Sequence, residues 1–142
     1  MENRPKRRSS PALLLTCLLS LAASGCASRY KLDAEPPAYA AKAKIKVKVN
    51  KTENREMTVR IDHLAPPSRI GPNLRGYVVW IHVPGHGTSK AGLLDYNERR
   101  RRGTLKATTP HPKFEVIVTL EDDLSVAQPS ERVIVRKLVA KA

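Results

Sequence analysis

Cysteine is scarce in this 142-residue chain: Cys17 and Cys26 are the only two, so at most one disulfide is available to it. Aromatic side chains are few as well, with one Trp, one Phe and four Tyr. So few rings offer little to line a sugar-binding cleft or to stack bases between basic runs, which argues against a glycosidase and against nucleic acid as a partner. The seven glycines form no Gly-rich phosphate loop, and no serine sits in a nucleophile elbow. The main apolar run, Pro11 to Ala23, falls short of the about 20 residues that a spanning helix needs. Acid is the last shortage: 13 Asp+Glu face 26 Lys+Arg, for a formal net charge of +13. With the first 25 residues set aside, about 117 remain, enough for one domain and too few for a TIM barrel or a two-domain dehydrogenase.

What is present begins at the N-terminus. Arg4, Lys6, Arg7 and Arg8 precede the apolar run, and small residues Ser24 and Gly25 follow it. A basic stretch, a short apolar core and a small-residue exit together read as a secretory signal peptide. Arg7-Arg8 is followed by Ser9-Ser10-Pro11, without the apolar residue of a twin-arginine signal, so the general export route is expected. Ala23-Ser24-Gly25-Cys26 resembles the lipobox of bacterial lipoproteins. That resemblance implies cleavage before Cys26, a diacylglycerol thioether on its sulfur and an acyl chain such as palmitate on the new amino terminus. Several acyl chains hold a bilayer stably where one is marginal. Ala27, rather than Asp, follows the cysteine. By analogy with bacteria that have two membranes, this implies the outer membrane, facing the periplasm. With Cys17 discarded and Cys26 alkylated, no disulfide is expected. The chain then divides into a signal peptide over 1–25, a lipid-anchored tether over 26–40 stiffened by Pro36-Pro37, and a folded domain over 41–142.

Alternation of period two dominates that domain. From Lys42 to Val49 the set Ala43, Ile45, Val47, Val49 opposes Lys42, Lys44, Lys46, Lys48. Further strands are predicted at Met57–Asp62, Tyr77–Val83, Ala91–Tyr96, Thr104–Thr108, Phe114–Leu120 and Val133–Val139. Three prolines force a loop between Ala65 and Asn73, and Glu121 to Glu131 reads as a polar loop. Seven short strands separated by turn signals predict an all-β, antiparallel, immunoglobulin-like β-sandwich, with a closed barrel as the alternative. Trp80 is expected to pin the two sheets together from the core. Tyr77-Val78-Val79-Trp80, Ala91-Gly92-Leu93-Leu94, Phe114 to Glu121 and Gln128-Pro129-Ser130 before Val133-Ile134-Val135 together resemble the extracytoplasmic C-terminal domain of anti-sigma-K-type factors. The likeness covers some 60 residues and implies a β-sandwich outside the cytoplasm. It implies no anti-sigma activity, because those factors bind sigma through a cytoplasmic helical segment that this chain lacks.

Chemistry is sparse in this pattern. His82 and His86 stand four apart, but Pro84 and Gly85 deny them the helix that would align their rings, so no metal site and no cofactor are expected. His63 continues the inward set of its strand. Glu121, Asp122 and Asp123 lack the spacing of a calcium loop and read as a solvated turn. The candidate binding residues are therefore cationic: Lys44, Lys46 and Lys48 on one strand face, and Arg99, Arg100, Arg101 and Arg102 at a loop tip. They suit an anionic membrane surface or another acidic envelope polymer. The plain alternative is that the lysines only keep a sheet edge soluble. The expected function is that of a non-catalytic, lipid-anchored envelope protein, a structural or interaction module. The alternative is a sensor or accessory subunit docked on a membrane protein.

Overall fold

The alternation from Lys42 to Val49 builds a strand whose apolar face is buried and whose lysines point to solvent. In a computed structural model, which describes residues 26–140, this strand is β2 (Lys42–Val49). The signal-peptide segment lies outside the described residues. Around β2 the chain lays down β1 (Ser28–Asp33), β3 (Arg55–Asp62), a single helical turn α1 (Pro67–Ile70), β4 (Gly76–Val83) and β5 (Gly87–Leu93). There follow β6 (Asp95–Asn97), β7 (Arg102–Thr109), β8 (Phe114–Glu121) and β9 (Val133–Val139). Two antiparallel sheets result, one in the order β1-β2-β3-β7-β6 and the other β5-β4-β8-β9. They face each other across one apolar core. Ala43, Ile45, Val47, Met57, Val59 and Ile61 come from the first sheet; Tyr77, Val79, Phe114, Val116, Val118, Leu120 and Ile134 come from the second.

The described residues hold nine strands where the sequence predicts seven. One extra strand is β1, which lies inside the segment read as a tether. Its alternation is short, but Ser28 to Asp33 pair residue for residue with Val47 to Lys42. The other comes from splitting the stretch Ala91 to Tyr96. β5 ends at Leu93, the buried Leu94 donates its N–H to the Tyr77 carbonyl at 2.9 Å, and the chain crosses to the other sheet as β6. A bulge facing Val79 and Trp80 precedes this crossing, with Gly92 at φ 150°, a backbone setting that L side chains rarely take.

Trp80 is fully buried, but not between the sheets. Alternation along β4 sends Tyr77, Val79 and Ile81 into the shared core, so Val78 and Trp80 must face outward. There the segment from 122 to 132 folds over them, and Leu124, Val126 and Val133 cover the indole together with Ile117. The loop read as merely polar is thus a lid with apolar pegs. Trp80 Nε1 donates to Thr119 Oγ1 at 2.8 Å, and Lys90 lies over the ring at 5.7 Å. Glu121 is likewise no solvated turn residue. It is 1% exposed, and its carboxylate accepts the Ser130 N–H at 2.9 Å, tying the lid to β8.

The two sides of the sandwich differ. On one, Glu35 N–H donates to the Ile134 carbonyl at 2.7 Å, and Lys137 sits 4.9 Å from the Tyr30 ring, so β1 and β9 are stitched together. On the other, β6 pairs with only Arg102 to Thr104 of β7. Beyond that point a groove of about 420 Å³ separates β5 from β7.

A candidate anion-binding face

Side chains directly opposite in a sheet share a face, so register alone defines the outer surface of the five-stranded sheet. Arg29 stands opposite Lys46, Lys46 opposite Thr58, and Thr58 opposite Lys106. The next row runs Lys31, Lys44, Arg60, Thr104. Adjacent strands are about 4.8 Å apart, so three cations of this second row fall within about 10 Å. No carboxylate lies in the first row, and in the second only Asp95 of β6 follows Thr104. Lys48, Lys46, Glu56, Thr58, Lys106 and Thr108 line a shallow depression of about 480 Å³ on this face.

The electrostatics differ along the sheet. At the end where β2 begins, Asp62 is 9% exposed and gathers three cations. Its carboxylate meets Arg102 Nε at 2.6 Å, Arg60 Nε at 3.1 Å and Lys44 Nζ at 3.3 Å. Burial pushes this carboxyl up, but hydrogen bonds from Arg102, Arg60 and Lys44 outweigh it and hold its pKa at about 2. Toward the middle of β2 the balance reverses. Lys48, then loss of surrounding water, then Arg29 lower the pKa of Lys46 below the usual lysine value. Among the described residues, Arg29, Lys31, Lys46, Lys48 and Lys106 have no ion-pair partner.

Asp62 makes a checkable pH dependence. Its folded pKa lies below the ordinary carboxylate value, so the stabilisation is complete above about pH 4 and is lost as pH falls toward 2. The loss should reach about 2 kcal/mol. Urea titrations at pH 5 and pH 2 should show this drop in the native chain and a much smaller one in Asp62→Asn.

Of the four consecutive arginines, three form an exposed tip and one does not. Arg99, Arg100 and Arg101 occupy the turn between β6 and β7, where Arg101 takes φ 47° and donates its N–H to the Glu98 carbonyl at 3.1 Å. Arg102 already belongs to β7 and is spent on Asp62. Lys44 is shared between the face and Asp62, while Lys46 and Lys48 stay with the face. Cys26 is exposed, with only Ala27 between it and β1.

No family model, curated protein or solved structure matches this chain. What the face does is therefore argued from its own charge and spacing. β2 is flanked by β1 and β3, so its lysines do not guard a sheet edge. Like charges directly opposite in a sheet destabilise it by about 0.2–1 kcal/mol per pair. Arg29–Lys46, Lys31–Lys44 and Lys44–Arg60 are three such pairs. Arg29, Lys31, Arg60 and Lys106 were missed as members of the cluster, because only register brings them beside β2. The alternating Arg29 and Lys31 were the available signal.

The histidines are placed differently from their spacing. His63 is exposed at φ 59°, just past β3, and His82 pairs with Thr88 at 2.9 Å. His86 approaches His111 instead of His82, their ring centroids 5.2 Å apart.

Proposed function

We propose that this protein is an exported, lipid-anchored domain that works by binding, holding an anionic partner of the cell envelope against the outer face of its five-stranded sheet. The observation that carries this reading is the row Arg29, Lys46, Thr58, Lys106, a set of cations and a hydroxyl at sheet spacing with no carboxylate among them. Such groups hold phosphate- or carboxylate-bearing surfaces. We read the role as binding rather than catalysis. The resemblance to a lipobox at Cys26 supports anchoring, and with only Ala27 between Cys26 and β1, an acylated Cys26 would hold the basic face close to its membrane. We read the sandwich as immunoglobulin-like with added strands β1 and β6. Its likeness to the extracytoplasmic domain of anti-sigma-K-type factors bears on the fold alone.

Two measurements test this reading. Intact mass of the native product should show a chain beginning at acylated Cys26. Purified protein should co-sediment with vesicles containing anionic phospholipid, should ignore purely zwitterionic vesicles, and should be released as salt shortens the screening length below about 8 Å. Salt-independent retention would remove the anionic partner, and an intact leader would remove the compartment.

A further inference from the structure

His86 and His111 lie 25 positions apart in sequence and share one site in space. His86 tops the turn from β4 to β5, where its N–H closes on the Val83 carbonyl at 2.9 Å and Gly85 and Gly87 take φ 80° and 94°. His111 sits in the connection from β7 to β8, fixed between Pro110 and Pro112, with its N–H on Thr109 Oγ1 at 3.3 Å. Both rings stand at the groove between β5 and β7, on the side where the two sheets are not stitched together.

The geometry points to a two-histidine site for a borderline transition-metal ion such as Zn²⁺, formed by His86 and His111 across the open side of the sandwich. Two imidazoles bound about 2.0–2.1 Å from one tetrahedral ion place their ring centroids about 5 Å apart. The observed separation is 5.2 Å, with the ring planes inclined at 48°. The tautomer agrees. His86 Nδ1 faces the Pro84 carbonyl at 3.4 Å, and a carbonyl can only accept, so this contact suits the tautomer with the proton on Nδ1, which leaves the Nε2 lone pair for the ion. A ligating histidine ordinarily donates its other ring N–H to such a carbonyl. The one lysine lining the groove, Lys90, directs its ammonium away from it, to the Leu124 and Val126 carbonyls on the outer face of its own sheet. Two protein ligands leave the remaining positions to water, so the ion is held reversibly, unlike one in a closed four-ligand structural site.

The test uses the full chain carrying Cys17→Ser and Cys26→Ser, since free thiols would compete for the metal. Titration with Zn²⁺ alone, followed by calorimetry and by NMR of the histidine rings, should give one ion per chain and shift the resonances of His86 and His111. Removing either arm of a two-point grip forfeits its effective concentration, so His86→Ala and His111→Ala should each weaken binding about tenfold or more. His82→Ala should leave it unchanged. Absence of binding at millimolar Zn²⁺, loss in only one of the two variants, or an equal loss in His82→Ala would each overturn the site.

Discussion

Trp80→Ala lowers the unfolding free energy by roughly 3–5 kcal/mol in a denaturant titration, the range for emptying a fully buried aromatic position. The indole is entirely inaccessible, and its cavity cannot be refilled by the main core because the β4 backbone lies between them. The damage should also have a direction. Leu124 and Val126 rest on the indole, so the segment from 122 to 132 loses its footing while the inter-sheet core keeps its contacts. Limited proteolysis should then cut within that segment before any strand, and its amides should exchange faster. A Trp80 between the sheets would loosen both sheets together and spare the lid. Thr119→Val separates the polar part: it strands the indole N–H and should cost about 1–3 kcal/mol with the lid still seated.

The residues that were legible and those that were not divide along a physical line. Local alternation is enough to place β2, β4, β8 and β9, because a one-sided or two-sided apolar pattern of period two has few other solutions. It does not tell a strand from a tether when the run is as short as Ser28 to Asp33; pairing with β2 decides that. Nor does it place the sheet crossing at Leu94, where burial against Leu64 and Gly103 governs. Alternation does assign Trp80 to the face opposite Tyr77 and Val79, but which face meets the other sheet depends on what the 122 to 132 segment covers. The candidate face shows the same split. Lys44, Lys46 and Lys48 were visible on one strand, whereas their partners Arg29, Arg60 and Lys106 are set by register across three strands. His86 and His111 belong to two turns that no spacing rule connects.

Arg29→Gln/Lys46→Gln/Lys106→Gln should cut affinity for anionic vesicles about a hundredfold while making the folded domain more stable. Each Lys or Arg close to an anionic surface contributes about 1 kcal/mol, so three together give about 3 kcal/mol at moderate salt. The same substitutions relieve the Arg29–Lys46 repulsion, worth about 0.2–1 kcal/mol, and glutamine removes the charge while keeping a polar side chain. Opposite signs in the two measurements separate a binding role from a structural one, since lysines that served stability would lower both when removed. The arginine tip supplies the control. Ser28 pairs with Val47 at one end of β2, whereas Arg102 is reached through Asp62 from Lys42 at the other. Between the Ser28 level and the tip run five residues of β7, about 17 Å at strand spacing, which exceeds the screening length at physiological salt. In protein anchored at Cys26, Arg99→Gln/Arg100→Gln/Arg101→Gln should therefore change retention on its own membrane at least tenfold less than the face substitutions do. Equal losses from both triple variants would show that net charge, rather than the ordered row on the sheet, holds the partner.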